Sequence, residues 1–214
     1  MDIYNSRELL VVRLIVGQME ANCYLIIDKK TKKTIILDPG EEAEYIENNI
    51  RDKNCIPEMI ISTHGHFDHN GAVLTLQLVY QIPFLISQKD VFLFTSFRKS
   101  AVLFTGTDLG PPPTPSGYLE KNSIINFGEN RLLVIETPGH TPGSICLFAK
   151  NEGLLFTGDT IFAEGQVGRT DFSYSSAKDH KTSLKKIFKL LDNTIIYPGH
   201  KDSSTVKKEK EHQS

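Results

Sequence analysis

The sequence predicts an α/β layered domain in which two sheets pack together and helices lie outside. Three observations support this. Strand clusters and single helices alternate through both halves of the chain, and the strands are short, β-branched and separated by polar turns. A chain of 214 residues with 39% hydrophobic and 23% charged side chains can also bury a sizeable core, so 1–214 reads as one domain.

In chain order, "LLVVRLIVG" (Leu9–Gly17), "NCYLIID" (Asn22–Asp28) and "KTIILDPG" (Lys33–Gly40) predict strands of a hairpin-rich sheet. Residues 41–53 predict a helix, with Ala43, Ile46 and Ile50 at helical spacing and acids in the first turn, where the helix dipole favours them. "EMIIST" (58–63) is a short buried strand running directly into "HGHFDH". Residues 71–81 predict a helix, 83–87 a strand and 88–97 a further helix. Residues 98–117, rich in Gly, Pro and Thr and without a sustained period, read as a long surface loop of the length that forms lids and binding loops. "SIINF", "RLLVIETPGH", "SICLFA" and "GLLFTGDT" predict four more strands. Residues 175–192 predict a helix with Leu184, Ile187, Phe188 and Leu191 on one face and lysines on the other. "TIIYPGH" is a last buried strand, and the charged tail, 201–214, either frays or forms a short helix.

Lys and Arg number 24 against 26 Asp and Glu, so the formal charge of −2 creates no overall field for nucleic acid. Cys23, Cys55 and Cys146 are odd in number, far apart and in no C-x-x-C arrangement, which argues against a disulfide framework and for a reducing compartment. The N-terminus does not read as a signal peptide, and no apolar run reaches the roughly 18 residues that span a bilayer. The expectation is a cytoplasmic protein without nucleic-acid or membrane partners. No feature of the sequence sets an oligomeric state.

Of the seven histidines, His64, His66 and His69 fall within six residues, with Asp68 beside them. His140 and His200 each follow an apolar strand and a Pro-Gly turn, and Asp159 follows a buried strand and a glycine. Strand ends on one edge of a sheet converge, so these seven side chains are expected to meet in one cleft. His180, read as lying on the polar side of a helix, and His212, in the tail, stand outside the set. Neutral imidazole and carboxylate suit zinc, iron or manganese rather than calcium or a thiolate centre. In an extended H-x-H pair both side chains share a face, so His64 and His66 can chelate one ion. Asp68 continues that alternation and His69 breaks it, so a turn starting there aims the pair at a second position. Seven ligand-type groups exceed one tetrahedral ion but suit two ions sharing a carboxylate, about 3.5–4 Å apart. Burying so many ionisable groups without metal would cost several kcal/mol.

"THGHFDHNG", "TPGHTPGS", "FTGDT" and "YPGH" together resemble the successive metal motifs of the metallo-β-lactamase superfamily, in the right order over nearly the whole chain. The resemblance implies a four-layer αββα sandwich with the site at the strand edge between the sheets. It also implies that His64, His66 and His140 hold one metal, that Asp68, His69 and His200 hold the second, and that Asp159 bridges them. Within the superfamily the chain is most similar to the glyoxalase II (hydroxyacylglutathione hydrolase) branch. Asp159 stands where the common dizinc β-lactamases have cysteine, and Gly65 where flavodiiron proteins carry glutamate. "GQVGRTDFS" is similar to a motif shared by short glyoxalase II-like hydrolases and persulfide dioxygenases. The C-terminal helical domain that supplies glutathione contacts in full glyoxalase II enzymes has no counterpart in the fourteen residues after His200, so glutathione recognition is not implied.

The leading expectation is therefore hydrolysis of a small-molecule thioester by a hydroxide bridging two divalent ions, zinc first, iron or manganese as alternatives. Asp68 would ligate, orient the nucleophile and shuttle its proton. Asp38, in "LDPG", is expected either to orient a ligand histidine or to shape a turn, and Arg169 and Asp171 to order the loop beside the site by pairing. The rival reading is an iron-dependent persulfide dioxygenase using His64, His140 and Asp159. A third is a metal-stabilised module without catalysis.

Overall fold

In the computed structural model, which describes residues 1–213, every predicted strand belongs to one of two sheets. The first sheet runs β1 (Asp2–Asn5), β2 (Leu9–Val16), β3 (Ala21–Asp28), β4 (Lys33–Leu37), β5 (Ile56–Ile61), β6 (Phe84–Ile86) and β7 (Gly117–Tyr118) in spatial order. Its pairs are antiparallel as far as β4 and parallel from there on. The second sheet runs β13 (Ser204–Thr205), β12 (Ile195–Pro198), β11 (Leu154–Gly158), β10 (Ile145–Ala149), β9 (Asn130–Glu136) and β8 (Ile124–Phe127). Only β11 and β12 are parallel in it. Each parallel step needs a crossover, and the chain supplies one every time. Between β4 and β7 these are α1 (Ala43–Asp52), α2 (Val73–Tyr80) and α3 (Phe97–Thr105); between β11 and β12 it is α4 (Ala177–Ile187). The final helix, α5 (Val206–His212), packs Val206 beneath the second sheet.

Alternation along the strands divides the core into three layers of side chains. Val11, Ile26, Ile35, Val134, Leu147 and Phe156 fill the space between the sheets. Their neighbours Val12, Leu25, Ile27 and Ile36 face the other way, onto Ile46, Ile50 and Leu76 of α1 and α2. Cys146, Leu155 and Ile196 face Leu184 and Ile187 of α4. Helix, sheet, sheet and helix thus form the αββα sandwich. Strands covered on both faces read as unbroken apolar runs, and β3 is buried throughout.

The sequence reading departs from this fold in several places. The reading of 98–117 as loop fails for its first part, because α3 occupies 97–105 and ends on Gly106 in the left-handed region at φ 72°. Only Phe97 and Ala101 of α3 are buried, while Leu103 is 77% exposed, so the helix shows no clean apolar stripe. Residues 88–97 form a 3₁₀ helix, Gln88–Ser96, rather than an α-helix. α4 stops at Ile187, which leaves Leu191 outside it and 76% exposed. His180 is buried and not on a polar face: its backbone fills the space beside Gly139. The tail takes the short-helix alternative as α5 and adds the unforeseen β13, with Ser214 outside the described residues. β1, β7 and β13 had no counterpart in the reading. No helix among the described residues is long and apolar enough to cross a membrane.

Candidate metal centre

The seven ligand-type residues arrive from both sheets, not from one sheet edge. His64, His66, Asp68 and His69 follow β5 of the first sheet, while His140, Asp159 and His200 follow β9, β11 and β12 of the second. They fall into three overlapping groups: His64, His66 and His140; His64, His69 and Asp159; Asp68, His69 and His200. Within each group the ligand atoms lie no more than 4.8 Å apart. The turn that redirects the chain is a 3₁₀ helix, Phe67–His69, entered from His66 in extended conformation, so it begins two residues before His69. It lets His64 and His66 face one group and Asp68 and His69 another.

Hydrogen bonds on the outer side of each ring determine which nitrogen faces inward. Thr63 Oγ1 donates to Asp38 Oδ2 at 2.7 Å, so only its lone pair is left for His64 Nδ1 at 3.1 Å. That contact places the His64 proton on Nδ1. His140 Nδ1 donates to the Arg169 carbonyl at 2.8 Å. His69 Nδ1 sits 3.2 Å from Asp38 Oδ2, which favours its proton there. His66 faces the opposite way round, with Nε2 at 2.8 Å from the Tyr174 hydroxyl and Nδ1 inward. Inward-facing His66 Nδ1 lies 3.1 Å from His64 Nε2 and 3.0 Å from His140 Nε2. With every proton placed outside, three lone pairs converge with no hydrogen between them, an arrangement that suits a cation. Three nitrogens around one tetrahedral ion at about 2.0–2.1 Å would stand about 3.3 Å apart, close to the spacing found.

Asp159 lies between the two histidine groups. Its Oδ1 is 3.4 Å from His69 Nε2, and its Oδ2 is 3.6 Å from His140 Nε2 and 3.7 Å from His200 Nε2. Oδ1 is buried without a hydrogen-bond partner. Asp68 Oδ2 lies 3.3 Å from His200 Nε2 and 3.7 Å from His69 Nε2, which are themselves 3.3 Å apart. The residues present therefore fit metal ions, and the donor set fits more than one.

The electrostatics differ across the centre. Burial, with His69 next, pushes His64 well below the ordinary imidazole value, and burial with His140 takes His66 down to about 4. Both are neutral near pH 7. Burial works against the charge on His69 and His200 too, but Asp159 and Asp68 outweigh it and raise both. Burial likewise opposes the charges of Asp159 and Asp68, yet the facing histidines hold both carboxyls below the usual range. Before metal arrives, the carboxylates of Asp68 and Asp159 are thus neutralised by the proton-holding imidazoles of His69 and His200. Since an ion must displace those protons, metal affinity should rise as pH rises through neutrality, with the protons released into the buffer. Calorimetric zinc titration in buffers of different ionisation enthalpy measures the number; a value of zero at pH 7 would contradict this electrostatic account.

The scaffold beneath these ligands includes residues that sequence reasoning missed. Asp38 contacts His69 Nδ1 and Thr63 Oγ1, and it also accepts a bond from the Thr63 amide at 2.7 Å. Asp90, in the 3₁₀ helix, is fully buried and accepts from the Gly65 amide at 2.9 Å, Thr141 Oγ1 at 2.6 Å and the Gly143 amide at 2.6 Å. It ties the H-x-H turn to the His140 turn. Asn70 Nδ2 caps the carbonyls of His64 and His66. Asn22 and Tyr24 on β3 reach across the sheets to the 198–201 turn: Asn22 Nδ2 donates to Pro198 and Lys201, and Tyr24 to Pro198 at 2.6 Å. Each is a lone polar residue in an apolar run, the one available signal. Gly65 owes its place to close approach, since a Cβ there would sit 2.8 Å from the Asp90 carbonyl. Arg169 and Asp171 pair bidentately at 3.0 and 2.8 Å, and Arg169 also covers the Phe172 ring.

Comparison with known proteins agrees with this geometry. Residues 16–200 match the Metallo-beta-lactamase superfamily. Hydroxyacylglutathione hydrolase GloC of Haemophilus influenzae is 32% identical over 197 residues, covering 91% of this chain and 92% of that one. The crystal structure of the B3 metallo-beta-lactamase BLEG-1 superposes with a TM-score of 0.87 at 28% identity, covering 94% of this chain and 97% of the other. The di-iron-bound form of TTHA1623 superposes with a TM-score of 0.85 at 30% identity, covering 93% and 96%.

Proposed function

The chain belongs to the metallo-β-lactamase superfamily, and from that premise we propose that it is a dinuclear metal-dependent hydrolase acting on small-molecule thioesters. The observation that carries this reading is the pairing of a complete His/Asp donor set with Asp159, whose carboxylate lies near His140 on one side and near His69 and His200 on the other. His64, His66 and His140 would hold one ion, Asp68, His69 and His200 the other, and Asp159 both. Bound there, such ions polarise a carbonyl and bring the pKa of water to about 7, which supplies a nucleophile at neutral pH. Similarity to the H. influenzae hydroxyacylglutathione hydrolase supports the thioester as substrate class.

The chain's own residues do the remaining work. Asp68, buried and 3.3 Å from His200 Nε2, is a carboxylate able to orient a nucleophile and accept its proton. Asp38 keeps the His69 and His64 rings from turning. A thiolate leaves without help from an added acid, and none of the residues around the cluster is needed as one.

The test is hydrolysis of S-lactoylglutathione by purified protein whose metal content is measured alongside. Turnover is expected with metal present and should vanish on chelation and return with zinc. Undiminished turnover in metal-stripped protein would exclude the mechanism. Oxygen uptake with glutathione persulfide, in place of thioester cleavage, would assign the chain to the dioxygenase reading.

A further inference from the structure

We propose that Tyr174 is a positioning residue for His66, and that its phenol sets how tightly the chain holds the ion at His64, His66 and His140. This rests on reading the cluster as a metal centre and is independent of which substrate the enzyme takes.

The outer nitrogens of three other histidines meet fully buried side chains or the main chain. His64 leans on buried Thr63, His69 on buried Asp38, and His140 on a main-chain carbonyl. His66 is different. It stands beyond the end of β5, it is half-buried, and the one partner of its outer nitrogen is a side chain more than a hundred positions away. Because His66 turns Nδ1 inward, its ring proton must reside on Nε2, and Nε2–H donates to the phenol oxygen of Tyr174. A hydrogen bond at that nitrogen stops the imidazole from rotating and raises the basicity of the nitrogen facing the ion.

The phenol is itself held firmly. The Tyr174 ring stacks on Phe172, with centroids 5.3 Å apart and planes 12° from parallel, and Phe92 meets it edge-on at 5.5 Å. Phe172 in turn lies edge-on to His66 at 5.4 Å and to His140 at 6.1 Å. The segment carrying Tyr174 also supplies the Arg169 carbonyl to His140 Nδ1, and Ser175 Oγ donates to the His140 carbonyl at 2.6 Å. Two of the three imidazoles at this cluster therefore take their outer partners from one irregular segment, 169–175, between β11 and α4. Among the described residues the Tyr174 hydroxyl has no partner other than His66, so its oxygen serves that ring alone.

Tyr174→Phe removes one oxygen and keeps the ring in its stack. Zinc is titrated into the metal-free variant against a competing chelator, with no substrate present. The expected result is a roughly tenfold loss of affinity for one bound zinc ion, together with loss of the exchange-protected Nε2 proton signal of His66 in the NMR spectrum. Phe92→Leu disturbs the stack without touching the phenol and is expected to keep wild-type zinc affinity. Wild-type affinity in Tyr174→Phe overturns the proposal, and so does an equal loss in Phe92→Leu, which would make the effect one of packing. Since no turnover is measured, failure of the thioester reading leaves this result intact, and the reverse also holds.

Discussion

Asp159→Ala is expected to strip the centre of metal and to reduce thioester turnover by about 10³-fold or more. Its carboxylate is the group that reaches both histidine groups, through Oδ1 toward His69 and Oδ2 toward His140 and His200. Without it, the inward lone pairs of His64, His66 and His140 face a centre with one negative charge fewer, and the second group keeps only Asp68. Metal-borne charge stabilisation is worth several kcal/mol in a transition state, and each 1.36 kcal/mol is a factor of ten, which sets the size of the loss. The variant should still fold, because the buried Oδ1 makes no hydrogen bond that the frame depends on. Elemental analysis of purified variant and wild type decides the matter: two retained ions would refute the bridging role.

Asp90→Ala is expected to destabilise the protein by about 3–5 kcal/mol, a fall in thermal midpoint on the order of 10 °C for a chain of this size. Its carboxylate satisfies two buried amides and a buried hydroxyl; alanine would leave both amides without an acceptor and the hydroxyl with Ser144 Oγ alone. Gly65 and Thr141 belong to the turns that carry His64, His66 and His140, so zinc affinity should fall with stability. Asn at this position is isosteric but should not rescue, because one oxygen of the carboxylate takes Gly143 and the other takes Gly65 and Thr141. An amide would point its NH₂ at a donor. Thermal melts of wild type, Asp90→Ala and Asp90→Asn check the ranking; a stable asparagine variant would show that shape alone suffices.

The contrast between Asp159 and Asp90 explains how much of the site was legible in the sequence. Asp159 follows an apolar strand and a glycine, and it joins a set of rare residues in the same context, so its chemistry announces itself locally. Asp90 lies in "QKDVFLF", where nothing marks it, because its partners Gly65, Thr141 and Gly143 are separated from it by 25, 51 and 53 positions. Asp38 was legible only as a choice between a turn and a histidine partner, and both remain open: its backbone is left-handed at φ 50°, and its carboxylate contacts Thr63 and His69. His180 was read as exposed because charged residues surround it. Its burial depends on how closely α4 approaches Gly139, which no periodicity encodes.

Residue type and local order were enough, by themselves, to determine the layered fold class and the strands at whose ends the seven His and Asp side chains stand. Short β-branched runs, Pro-Gly turns and clustered imidazoles are local signals, and local physics produces them. Tertiary structure alone decided that these side chains come from both sheets, which ring nitrogens of His64, His66 and His140 face inward, that Asp90, Asn22 and Tyr24 hold the frame, and that Tyr174 meets His66. Those outcomes follow from hydrogen bonds between segments tens to more than a hundred residues apart. Such bonds exist only once β3 and β12, or the H-x-H turn and the segment after Asp159, have been packed against each other.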